Sequence, residues 1–338
     1  MRIGTNPNKD QKIKNNYYHR IIVPVCVPHL EGYFKDGLKI TALCLESLIK
    51  TIHNQSALTV INNGSCTEVT NYLQKLYISG KLDQLIHHKE NLGKIDAVIP
   101  VAKTSEEPLI TITDGDVLFK KNWIHAVEDV FNYFPEAGMV SPVPHGTVYG
   151  NYTANTLFDG ALKNMLTFQQ LNLAQEMLLF AKSIGKEKSM YKKQIRLQYQ
   201  LTVKRKNQSA VVGCGHFVST LRKEVFDFSP NKKSRLAYSS DADRYYIDIP
   251  VEKAKLWRLA TVKNYAYHMG NCIENWMVEI VETEQTNTVT PTYNFGKSKK
   301  IQLPYKLKAL IINKLVLNKI VKPKLFKIWG LKQGYYEY

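Results

Sequence analysis

The chain has 338 residues, of which 44% are hydrophobic and 22% charged, with a formal net charge of +17. That balance describes a folded protein, one large domain or a domain with an appendage, and excludes a disordered chain. No apolar run approaches the roughly 20 residues that span a bilayer, and five widely spaced cysteines without a CxxC pair argue against a disulfide framework or a structural zinc site.

The first twenty residues lack the apolar segment of a secretory signal, so the expected location is cytoplasmic. RIIVPVCVP (20–28) reads as a buried strand ended by proline. Residues 36–55 repeat Leu and Ile at helical spacing, and 57–65 form a strand closing in an Asn-Gly turn. Residues 67–81 read as a helix stopped by Gly80, followed by a short strand, a loop at Asn91-Leu92-Gly93 and another helix. PLITIT (108–113) then drives into Asp114-Gly115-Asp116. This alternation predicts an α/β fold with a mostly parallel central sheet sandwiched by helices. Ligands on such sheets bind at the carboxyl ends of the strands, where Asn62-Asn63, Asn91–Lys94 and Asp114–Asp116 all fall.

Residues 120–144 read as helix then strand, 150–205 as a mostly helical insertion with few breakers, and 209–226 as strand, turn and helix. Residues 255–271 read as a strand running into a loop that bears His268. There is no internal repeat and no low-complexity linker before about residue 285. The expected division is a domain over 1–285, with halves 20–119 and 120–285, and a tail over 286–338. From Tyr293 onward there are eleven lysines, no arginine and one acid, Glu337, so +10 of the net charge sits in the tail. Pro304 is placed to open a tail helix and Pro323 to end it. A segment rich in lysine and apolar residues suits an anionic membrane surface; the alternative is a helix packed on the domain with its lysines in water. Nucleic acid is disfavoured because the tail has no arginine.

Asp114 and Asp116 project to the same side of an extended backbone. Two hard oxygen ligands there suit Mg²⁺ or Mn²⁺, and Gly115 allows close approach to the backbone; the alternative is a solvated turn. His268 is either a third ligand, which would favour Mn²⁺, or a structural histidine. His216 in GCGHF sits beside glycines that a turn explains as well as a ligand does. Asp241 and Asp243 are either helix-opening charges or a general base for a hydroxyl. Asn62, Asn63 and Ser65 carry groups able to read a pyrimidine edge. Lys94 is either a diphosphate contact or an ordinary surface lysine.

Taken in order, IIVPV, VINNGS, NLGK, DGD, GCGHFVSTLRKEVF, SSDADRYY and YAYHMGN resemble the signatures of family-2 glycosyltransferases of the GT-A fold, over about residues 20–275. The resemblance implies a metal-dependent, inverting transfer of a sugar from a nucleotide-diphospho-sugar to a glycan or lipid-linked acceptor. It assigns the donor to Pro24, Asn62, Asn63, Ser65, Asn91, Gly93, Lys94, Asp114 and Gly115. It assigns the metal to Asp114, Asp116 and His268, with Asp116 as the direct ligand, and the base to Asp241 with Asp243 as second choice. Two departures stand out: Asn62-Asn63 replaces an acidic pair, and Ser240 replaces the first acid of the Glu-Asp-X-Asp segment. Rival readings are a nucleotidyltransferase, which VPVCVPHLEG lacks the Gly-rich basic loop for, and a catalytically silent binding module.

Overall fold

The computed structural model describes residues 3–12, 15–283, 293, 295–316, 318–332, 334 and 338. Its centre is a ten-stranded sheet in the order β3-β2-β1-β4-β10-β6-β11-β9-β8-β7. The first four strands in that order are parallel: β1 (His19–Val25), β2 (Ser56–Asn63), β3 (Gln84–His88) and β4 (Leu109–Thr113). β2 and β4 are buried at every residue, as strands covered on both faces must be, which is why they read as apolar runs and not as alternations. The covering helices are α1 (Gly37–Thr51), α2 (Thr67–Ile78) and α3 (Lys94–Thr104).

β5 (Val117–Phe119) leaves this sheet and later pairs with β12 (Ala266–His268). After α4 (Trp123–Tyr133) comes β6 (Ala137–Ser141). β10 (Val218–Arg222) runs antiparallel between β4 and β6, and β11 (Trp257–Ala260) pairs parallel to β6.

The 150–205 stretch departs from the mostly helical expectation. It contains α5 (Ala154–Leu162), α6 (Ala174–Ser183) and a single turn at Ile195–Gln198, but also β7 (Leu166–Gln170) and β8 (Tyr199–Arg205). With β9 (Gln208–Val212) these two strands extend the sheet antiparallel to its far edge. Gln and Lys suggest helix by composition, but LTFQQ and YQLTV supply aromatic and β-branched residues that pack on a pleated surface.

The tail also departs from expectation. The boundary placed at 285 lies outside the described residues, and the two helices beyond it pack on the domain. The single helix expected from Pro304 to Pro323 is two, Tyr305–Leu315 and Val321–Ile328; between them the Asn318 side chain accepts from the Ile320 and Val321 amides. The first helix lies on α5, where Lys308, fully buried, meets Asp159 at 2.7 Å. The second seats Phe326 against Phe168 and Tyr149, and the Trp329 carbonyl accepts from the Phe168 amide of β7 at 2.7 Å. Among the described residues no helix is long and apolar enough to cross a membrane.

Candidate functional site

A cleft of about 620 Å³ opens at the carboxyl ends of β1, β2 and β4, a size that suits a nucleotide-linked ligand. Asp114 leaves β4 with its amide donating to the Phe217 carbonyl at 2.8 Å, and the Asp116 carbonyl accepts from the Met269 amide at 2.8 Å. These two bonds pin the acidic loop between the loop leading into β10 and the loop after β12. A Cβ on Gly115 would lie 3.3 Å from the Pro24 carbonyl oxygen, so the loop passes hard against the end of β1.

The register of β12 on β5 carries His268 to the loop. Its Nε2 lies 3.4 Å from Asp116 Oδ2, while its Nδ1 pairs with Ser183 Oγ at 3.0 Å. A hydroxyl on one ring nitrogen fixes the orientation of the other, the usual support for a metal-ligating imidazole. Asp116 Oδ1 is buried, and nothing among the described residues hydrogen-bonds to it. Burial pushes the Asp116 carboxyl above its usual range, opposed by His268 and assisted by the Asp114 charge. An orphaned carboxylate oxygen beside a fixed imidazole, with a second carboxylate two residues away, fits a hard divalent cation.

Lys94 opens α3 and reaches into the same cleft, 2.6 Å from Asp114 and 3.7 Å from Asp243. Asp243 is 5% exposed, and burial raises its carboxyl, with Lys94 opposing. Asp241 is elsewhere: its side chain is 83% exposed and pairs with Arg244 at 2.8 Å. The structure therefore gathers Asp114, Asp116, His268, Lys94 and Asp243, and leaves Asp241 outside.

Pro24, Asn63, Asn91 and Gly115 line the cleft as expected. Asn62, Ser65 and Gly93 do not line it. The Asn62 amide nitrogen is spent on Thr70 (2.8 Å) and His87 (3.1 Å), and its oxygen accepts the Ser65 amide. The Ser65 hydroxyl ties the Val27 amide to the Val25 carbonyl. Gly93 has φ +86°, and a Cβ there would sit 2.1 Å from the Leu236 carbonyl oxygen; it is glycine for packing reasons. Sequence reasoning missed Tyr33, Phe34, Ser183, Ile184, Tyr238 and Asn271, which also line the cleft. They come from loops and from the end of α6, and no local pattern marks them.

His216 falls beside this site. Its Nε2 lies 3.3 Å from Asp248, which pairs with Arg258 at 2.9 Å. Burial and the Arg258 charge hold His216 neutral, its imidazole pushed down to about 3. A second group of metal-competent side chains, His19, His53 and Glu128, is buried at the opposite, amino end of β1. There the Gln55 amide donates to His53 Nδ1, so Nε2 carries the proton and donates to Glu128 at 3.0 Å. His19 (2.7 Å) and Tyr18 (3.1 Å) complete the carboxylate's partners. Every ligand atom is already used, and the group works as a hydrogen-bonded brace.

A half-parallel sheet with an acidic loop at the end of its fourth strand, closed over by a late histidine, is the arrangement of a GT-A fold. The chain belongs to glycosyl transferase family 2, whose signature matches residues 33–226, more than half of its length. Among solved structures it is similar to S. aureus TarS residues 1–349, at 11% identity and TM-score 0.44, over 74% of this chain and 60% of that one. A mannosyltransferase from Pyrobaculum calidifontis in complex with GDP-Man and Mn²⁺ gives 12% identity and TM-score 0.44, over 75% and 56%. GalNAc-T7 with UDP, GalNAc and Mn²⁺ gives 11% and 0.47, over 80% and 48%. The chain spans about half to three fifths of these structures' lengths. No curated protein sequence matches the chain.

Proposed function

We propose that the protein transfers a sugar from a nucleotide-diphospho-sugar to a hydroxyl of a glycan or lipid-linked acceptor, with inversion at the anomeric carbon. The observation that carries this reading is the orphaned Asp116 Oδ1 beside His268, in a cleft where Lys94 pairs with Asp114 and reaches back to Asp243 behind the cleft wall. Asp116 and His268, with Asp114, would hold Mn²⁺ or Mg²⁺, which supplies Lewis-acid neutralisation of the departing nucleoside diphosphate. Lys94 is placed to exchange its Asp114 partner for diphosphate oxygens when the donor enters. Asn63 and Asn91 are bonded to each other at 2.9 Å and their oxygens accept the Leu92 and Gly93 amides, so on the nucleobase side they would offer their remaining N–H groups as donors. Asp243 accepts the acceptor hydroxyl's proton as the new bond forms; a single carboxylate base supporting one displacement gives inversion.

Thermal-shift titration with a panel of nucleotide-sugars, with and without Mn²⁺, tests this. A selective, Mn²⁺-dependent rise in melting temperature is expected, because a ligand that binds only the folded state stabilises it by mass action. Asp116→Asn should abolish the Mn²⁺-dependent part while keeping the unliganded melting temperature. Full stabilisation without metal, or in the variant, would overturn the assignment.

A further inference from the structure

We propose that the outward faces of the two C-terminal helices form a docking surface for an anionic lipid bilayer. The helix Tyr305–Leu315 turns Lys308 and Ile312 into the domain. At 100° per residue, Leu307, Leu310, Lys306 and Lys314 then point away from it, and Leu307 and Leu310 are 43% and 58% exposed. The helix Val321–Ile328 buries Pro323 and Phe326, which leaves Lys324, Lys327 and Ile328 outward. Ile328, and Ile320 just before the helix, are each 76% exposed. Each helix thus holds the protein with one side and offers large aliphatic residues interleaved with lysine on the other.

From Tyr293 to Lys332 the sequence contains no Asp or Glu, so Lys306, Lys314 and Lys324 meet no carboxylate from within that stretch. The basic surface also extends beyond the segment. Arg196 and Lys322 both donate to the Tyr338 carbonyl, at 3.1 and 3.0 Å. That contact joins the tail to the loop after α6, where Lys186, Lys188, Lys192 and Lys193 are exposed beside one acid, Glu187. The same loop follows Ser183, which with Ile184 lines the cleft wall.

The mixture identifies the occupant. Lysine alone would suit any polyanion, but exposed Leu and Ile gain free energy only where they leave water for hydrocarbon. Shallow apolar insertion with lysine at anionic headgroups is the signature of an interfacial helix. Nucleic acid would call for arginine and stacking aromatics, and arginine is absent from the segment. The docking does not depend on the chemistry assigned to the cleft.

The test is co-sedimentation of the full chain with vesicles of phosphatidylcholine alone and of phosphatidylcholine mixed equally with phosphatidylglycerol. Binding only to the mixed vesicles, weakened by salt, is expected. Two variants dissect it: Leu310→Ser with Ile328→Ser, which keeps the charge, and Lys306→Gln, Lys314→Gln and Lys324→Gln together, which keeps the apolar residues. Each should lose about tenfold or more in vesicle affinity at an unchanged melting temperature, since all five side chains face outward. No binding by the parent chain to mixed vesicles overturns the proposal. So does a lysine variant that fails while the serine variant binds fully, with heparin competing equally well, which would identify a soluble polyanion as the partner.

Discussion

Asp241 and Asp243 lie two residues apart on a short helix, Ser240–Asp243, and a helix turns about 200° over two residues. Only one of them can turn toward Lys94 and the acidic loop, and it is Asp243. Asp243→Asn should therefore keep donor affinity and cut turnover by about 10²–10⁴, the usual worth of a general base, while Asp241→Asn stays near the parent rate. Steady-state kinetics with donor binding measured separately decides between them; the reverse pattern would return the role to Asp241. The pair also separates what a motif reveals from what it hides. Asp114 and Asp116 are legible in the sequence as a spaced pair at the end of an apolar run, but a turn at Gly115-Asp116 between β4 and β5, and not extended backbone, sets where they project. Asp241 misleads because a motif gives residue order but not helix phase. Asn62 misleads for a more local reason: its own turn consumes its amide, through Ser65 three residues on and Thr70.

Among the elements, the helix Ile249–Lys253 and strand β11 share a charge problem. Arg258 is 1% exposed and is the guanidinium facing two buried carboxylates, Asp248 and Glu252. Asp248 holds the direct ion pair; Glu252 takes a hydrogen bond from Asn155 at 3.0 Å. Burial pushes both carboxyls up to about 7. A carboxyl whose folded value is raised stabilises the fold fully below its unfolded value and loses that contribution as pH climbs through the folded one. The protein should thus melt higher at about pH 5 than at about pH 8, and Glu252→Gln should narrow that gap. Thermal scans of both proteins across the range check it; a gap that survives unchanged would place the proton elsewhere. At this scale the parallel strands are legible because burial on both faces writes them as apolar runs. β7 and β8 are not, because β7 at the sheet's edge and β8 beside it carry Gln and Lys among their apolar residues, and such composition reads as helix.

For the whole molecule the question is whether the basic tail is an attachment or part of the fold. Counting charge locates the tail but cannot show that Lys308 points inward, since burial depends on a partner 149 residues away in sequence. Asp159 supplies it, held in turn by the Trp257 indole at 3.0 Å. Lys308→Met should cost about 3–5 kcal/mol by leaving that carboxylate buried without its cation. Pairing it with Asp159→Asn should recover much of the loss, because no unpaired charge then remains. Ile312, Val316, Phe326 and Trp329 belong to the same apolar core as β1, β4 and α4. Removing everything from residue 297 onward would expose that core, so the truncated chain is expected to lose its cooperative unfolding transition along with vesicle binding. Circular dichroism melts of the truncated and full chains decide it. A truncated protein that melts with the parent midpoint would mean that the helices rest on a finished domain, and that the Lys308–Asp159 pair contributes nothing the domain requires.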